Sequence, residues 1–88
     1  MKKIWHDKAW NEHLYWQTQD KKTLKRINEL VKDIERNGIL NGIGKPEALR
    51  GNLAGLYSRR IDEANRLIYR KEGEFLEIIS CKGHYEDK

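Results

Sequence analysis

The 88 residues contain one cysteine, one proline, one phenylalanine and one methionine. A lone thiol, Cys81, permits no intramolecular disulfide and no cysteine-built zinc centre. Such cysteine usage suits a reducing cytoplasm. Cys81 lies in an apolar strand pattern, so it reads as core filler rather than as a nucleophile. No apolar run approaches the ~20 residues of a membrane span. Lys2 and Lys3 are followed by no apolar segment of signal-peptide length, so neither a leader nor a membrane partner is expected. His13 has no second His, Cys or paired acid at metal-ligand spacing, which leaves it a structural or surface role and leaves the chain without an evident metal or cofactor site. Repeats and low-complexity tracts are also missing.

What remains is a short, highly charged chain with ordinary aromatic content, which argues against disorder. Its length makes a single domain, spanning 1–88. A domain of this size buries only about 60–65 % of the surface that its unfolded chain exposes, so its core must be compact. The formal net charge is +4, and its distribution says more than its size. From Lys45 to Arg70 there are six basic residues (Lys45, Arg50, Arg59, Arg60, Arg66, Arg70) against three acids (Glu47, Asp62, Glu63). Five of the six are arginine, whose planar fork matches phosphate oxygens. Anionic partners are therefore favoured for the C-terminal half. The N-terminal half, rich in lysine with interspersed acids, reads as solvated helices.

Lys2 to Trp5 predicts a short opening strand. Asp7 is placed to cap a helix running from Lys8 to about Thr18, with stripes through Trp10, Leu14 and Trp16 and through Ala9, His13 and Trp16 that predict burial on a wide face. Asp20 is placed to cap a second helix, on which Leu24, Ile27, Leu30, Val31 and Ile34 form one apolar face and Gly38 marks the end. Five of the seven glycines and the only proline fall between Gly38 and Gly55. Within this connector, Pro46 to Gly51 predicts one short helical turn, with proline first and glycine just after the last residue. Glu47 would then be held near the sheet.

Three strands follow: Leu56–Ile61, Arg66–Arg70 and Phe75–Lys82. On the second, Arg66, Ile68 and Arg70 share one face, and Leu67 and Tyr69 the other. The continuous Ile78-Ile79 centre suits the third to a middle position. Gly83 frees the backbone so that His84 and Tyr85 can turn back over the sheet. The order of elements predicts an α+β domain, an N-terminal strand and a two-helix hairpin packed on one face of a mainly antiparallel sheet. By themselves these residues support anion binding beside a titratable histidine.

The chain resembles YoeB-type toxins of the RelE superfamily, bacterial toxin–antitoxin ribonucleases. The resemblance covers essentially its full length. It rests on Lys3-Ile4-Trp5, Tyr15-Trp16, Lys25-Arg26-Ile27-Asn28, Gly44-Lys45-Pro46-Glu47-Ala48-Leu49, Ser58-Arg59-Arg60-Ile61, Arg66-Leu67-Ile68-Tyr69 and Cys81-Lys82-Gly83-His84-Tyr85. It implies a microbial-RNase-like sheet and cleavage of mRNA in the ribosomal A site. It also implies inhibition by a YefM-type antitoxin, a homodimer, and no cofactor. By position, Glu47 matches the family's general base, Arg66 its phosphate-stabilising arginine, His84 its general acid and Tyr85 the adjacent aromatic. Arg60 falls at a second active-site arginine. Lys45, Arg50, Arg59 and Arg60 are candidates for flanking phosphates, and Tyr57 for stacking a base. Arg50 stands where relatives often carry lysine, and Glu86-Asp87-Lys88 follows the His-Tyr pair that commonly ends the chain.

The chemistry so implied is attack of the RNA's own 2′-OH on the adjacent phosphorus. It needs a base for that hydroxyl and an acid for the leaving 5′-oxygen, each worth typically about 10²–10⁴-fold. Imidazole suits the acid because its ordinary pKa is about 6.5. Two other functions fit a basic sheet of this kind: a ParE-like toxin that poisons gyrase without catalysis, and a passive RNA-binding module. Fold alone does not separate the three.

Overall fold

The computed structural model describes residues 1–84. Strand β1 (Lys2–Trp5) leads into helices α1 (Asp7–Gln19) and α2 (Lys21–Asn37), followed by strands β2 (Glu47–Ala48), β3 (Tyr57–Arg60), β4 (Arg66–Glu72) and β5 (Phe75–Ser80). The strands form one sheet in the order β1-β5-β4-β3-β2. β1 runs parallel to β5, and every other pair is antiparallel. This is the α+β architecture expected, with β5 inside the sheet. Among the described residues no helix is long and apolar enough to cross a membrane.

Asp20 caps α2 as its sequence position implies, accepting from the amides of Lys22 and Thr23. α2 buries Thr23, Ile27, Leu30, Val31 and Ile34. It ends at Gly38, whose φ of +97° suits glycine. α1 departs from expectation twice. Its N-cap is His6, whose side chain makes no capping bond, and Asp7 is the first helical residue, where its carboxylate still complements the helix dipole. The expected wide buried face is also absent. α1 buries only Ala9 and Trp16, while Trp10, Leu14 and Tyr15 are 42–46 % exposed. The stripes overcounted because Trp10 and His13 stack on each other at 5.7 Å, beside Trp5, instead of entering the core. His13 also meets Asn28 Oδ1 at 3.0 Å.

The core lies between the helices and one face of the sheet, where Leu67, Tyr69, Leu76 and Ile78 meet Ile27, Leu30 and Ile34. Cys81 is fully buried there, and burial pushes its thiol up to about 12. Arg59 also points to this side. Its guanidinium is fully buried and donates to Tyr69 Oη, Asp33 Oδ2 and the carbonyls of Gly38, Asn41 and Ile43. All five N–H groups of an arginine are thus used. Arg59 is therefore corrected from a phosphate ligand to the pin of the loop after α2. Burial raises the Asp33 carboxyl, but hydrogen bonds from Arg59, the Ile43 amide and Asn37 outweigh it and hold the group below the usual carboxylate range.

The connector gives a further correction. Pro46–Gly51 is not a helical turn. Glu47 and Ala48 form an edge strand on β3, and a 3₁₀ turn follows at Gly51–Leu53. A sheet edge tolerates the nearby proline, which has no N–H to give to a ladder. Gly44 enters this strand at φ +82°, and its carbonyl accepts from the Arg60 amide at 2.6 Å.

Candidate active site

Strand pairing assigns the side chains to faces. Residues directly opposite across a ladder project to the same side, and alternate residues of a strand share a face. Leu67 and Tyr69 face the core, so Arg66, Ile68 and Arg70 face away from it. Ile68 pairs with Ser58, which pairs with Glu47. Arg60 pairs with Arg66. Glu47, Ser58, Arg60, Arg66, Ile68 and Arg70 therefore occupy the face without helices.

Two arginines, Arg60 and Arg66, occupy directly opposite positions on that face. Like charges in this relation destabilise a sheet unless an anion joins them. Arg60 is exposed and Arg66 is half-buried. The Arg66 side chain folds back onto the turn before β4, where Nη1 donates to the carbonyls of Asp62, Glu63 and Asn65 at 2.6, 3.2 and 3.2 Å.

The segment bearing His84 is secured before it reaches the imidazole. The Cys81 amide donates to Glu12 Oε1 at 2.8 Å, and Trp16 Nε1 donates to the Cys81 carbonyl at 3.0 Å. The Lys82 ammonium lies 5.0 Å from the Tyr15 ring centroid. Gly83 then pairs with the start of β4: its carbonyl accepts from the Arg66 amide at 3.0 Å, and its amide donates to Asn65 Oδ1 at 2.7 Å. Gly83 has φ +80°, a turn that favours glycine. His84 emerges exposed from this anchor. Tyr85 lies outside the described residues.

The backbones carrying Glu47 and His84 thus flank β3 and β4. Three ladder spacings, about 14 Å, separate them across the strands, and Glu47 stands level with Ser58 and Ile68, two residues along from the Arg60–Arg66 pair. Lys45 and Arg50 are exposed on the connector beside β2. Tyr57 is corrected as a base-stacking candidate. It opposes Tyr69 on the core side, with ring centroids 6.0 Å apart, and packs against the core. Arg70 is largely neutralised. Its guanidinium holds Glu77 through two hydrogen bonds, and His6 approaches the same carboxylate at 2.9 Å. Arg70 first, then His6, keeps Glu77 below its usual range.

Sequence reasoning missed Glu12, Trp16, Asp62 and Asn65 as supports of the site. Asp62 and Asn65 were visible only as turn formers. Nothing local marks Glu12, whose partner is 69 residues away.

A family model described as the YoeB-like toxin of bacterial type II toxin–antitoxin systems matches residues 5–85. The chain belongs to this YoeB-like toxin family. It is 48 % identical over 85 residues to the toxin YoeB of Escherichia coli strain K12, covering 97 % of this chain and 100 % of that one. YoeB of a Synechocystis species is 48 % identical over 86 residues, covering 98 % and 99 %. A solved YoeB–YefM heterotetramer from Staphylococcus aureus contains a chain 48 % identical to this one, with a TM-score of 0.90 and coverage of 97 % and 98 %. A YoeB dimer from the same organism aligns equally well, with a TM-score of 0.90. At 14 % identity and a TM-score of 0.76, Escherichia coli YafQ shares the fold of this YoeB-like toxin.

Proposed function

We propose that this toxin is a ribosome-dependent mRNA endoribonuclease that acts by acid–base catalysis. The reading is carried by the Arg60–Arg66 pair on the open sheet face, flanked on one side by the strand of Glu47 and on the other by the segment of His84. A phosphodiester seated beside this pair accepts from both arginines. Glu47 takes the proton of the 2′-OH as that oxygen attacks phosphorus. His84 gives a proton to the departing 5′-oxygen. The products are a 2′,3′-cyclic phosphate and a 5′-OH end. Arg66 stabilises charge growing on the non-bridging oxygens, which is commonly the largest catalytic contribution. Arg60 supports the same phosphate, Lys45 and Arg50 bind the flanking backbone, and Tyr85 stacks on a neighbouring base. The ribosome supplies the message in an extended conformation and aligns it with the two groups.

The toxin works in the cytoplasm and is held inactive by a YefM-type antitoxin, the partner seen with the Staphylococcus aureus relative. A basic, arginine-rich face suits an acidic segment that orders on binding. Homodimerisation is proposed on the same footing, from the dimeric relative. Primer extension on a translated message tests the activity. Intact protein gives new 5′-OH ends on ribosome-bound mRNA, whereas Glu47→Ala and His84→Gln abolish them. Wild-type cleavage by both variants, or arrest of DNA supercoiling in place of translation, overturns the assignment.

A further inference from the structure

The turn between β3 and β4 touches both proposed catalytic elements. Asp62 Oδ1 accepts from the amides of Ala64 and Asn65, each at 2.8 Å, which closes the turn. The Asn65 side chain is then used at both ends. Its Nδ2 donates to the Asp62 carboxylate at 3.1 and 3.2 Å, and its Oδ1 accepts the Gly83 amide at 2.7 Å. The carbonyls of Asp62, Glu63 and Asn65, all in this turn, receive Arg66 Nη1. One side-chain amide therefore ties the turn that seats the guanidinium to the backbone residue immediately before His84.

We propose that Asn65 is a positioning residue that fixes the Arg66 guanidinium and the His84 segment relative to one another. This rests on the nuclease reading given above. The roles of its two amide ends are not interchangeable. Gly83 offers an N–H and needs an oxygen, while the Asp62 carboxylate needs a donor. Asparagine meets both demands with one planar group. Aspartate at 65 still accepts from Gly83 but turns its second oxygen against the Asp62 carboxylate, and the repulsion opens the link. Exchanging the two residues restores it, because an asparagine at 62 supplies the donor that an aspartate at 65 then needs, while its oxygen still closes the turn. Misplacement of a reacting group by about 1 Å can cost roughly 100-fold, so a loosened link acts on turnover more than on RNA affinity.

The test compares Asn65→Asp with the doubly exchanged Asp62→Asn/Asn65→Asp protein, using full-length toxin and ribosomes programmed with a defined message. Asn65→Asp is expected to lower kcat about tenfold or more with KM unchanged, and to speed hydrogen exchange at the Gly83 amide by a similar factor. The double exchange returns both to within about threefold of wild type. Wild-type turnover and exchange in Asn65→Asp overturn the proposal, as does a folded double variant in which neither recovers. Glu47→Gln and His84→Gln run in parallel separate the two claims. If they remain active, the nuclease reading fails and Gly83 exchange alone decides the link. If they are inactive while Asn65→Asp is wild type, only the positioning role fails.

Discussion

Replacing Asp33 by asparagine tests how the loop before Glu47 is held. The Arg59 side chain has no exposure and Asp33 only 12 %. Their contact is a 2.6 Å charge-assisted hydrogen bond. Asp33 also accepts from the Ile43 amide at 3.0 Å and from Asn37 Nδ2 at 2.7 Å. Asparagine offers one acceptor oxygen in place of two and leaves the Arg59 charge buried without a counter-charge. Breaking such a pair costs about 3–5 kcal/mol. An 88-residue domain has a total stability of about 4–13 kcal/mol, so this change removes a large part of it. At about 4–8 °C per kcal/mol, even the lower figure depresses Tm by about 12 °C. Urea unfolding followed by tryptophan fluorescence and circular dichroism gives the free energy, and calorimetry gives Tm. The comparison is Glu35→Gln, which breaks the Lys3–Glu35 pair, whose side chains are 40 % and 27 % exposed. Such surface pairs contribute at most about 1 kcal/mol. If Asp33→Asn costs no more than Glu35→Gln, Arg59 is not the pin described here.

Other consequences are simpler to measure. The carboxyls of Asp20, Asp33 and Glu77 are held below their ordinary values, so their contribution to stability is complete above the usual carboxylate range and is lost as pH falls from that range through their lowered folded-state values. Tm measured from pH 6 downward will therefore drop below about pH 4, and Glu77→Gln will flatten that drop; an unchanged slope contradicts the assignment. Cys81, fully buried with its thiol raised to about 12, will resist iodoacetamide in the native protein and react on unfolding, and native-state labelling at neutral pH would refute this. Gly44→Ala places a Cβ 2.8 Å from Leu30 Cδ2 and 3.2 Å from the Arg60 carbonyl at φ +82°. It should cost about 1–3 kcal/mol in urea unfolding, and a neutral result would show that the connector yields.

The elements whose signals are local were legible from sequence. Asp20 caps α2 because a short carboxylate there meets free amides, and the Ile27–Ile34 face is buried because its period matches a helix. The alternation of Arg66, Ile68 and Arg70 with Leu67 and Tyr69 correctly divided β4 between two faces. Failures came where distant partners decide. Arg59 and Arg60 are adjacent and chemically alike, yet strand alternation sends one into the core and the other to the open face. The carbonyls of a loop about 20 residues earlier, with Asp33 and the Tyr69 hydroxyl, make the inward position tolerable. Pro46-Glu47 carried a genuine helix-start signal, but pairing with β3 overrode it. α1 looked buried because aromatic side chains at helical spacing do not reveal whether they face a core or one another.

The most direct test of acid–base catalysis across the open face uses an mRNA whose scissile 5′-oxygen is replaced by sulfur. A thiolate departs without needing a proton, so removing the general acid then matters little. On programmed ribosomes, His84→Ala should cleave this substrate at close to the wild-type rate while failing on ordinary mRNA, and Glu47→Ala should fail on both. If sulfur substitution restores nothing to His84→Ala, His84 is not the proton donor and the mechanism built on these two opposed groups is wrong.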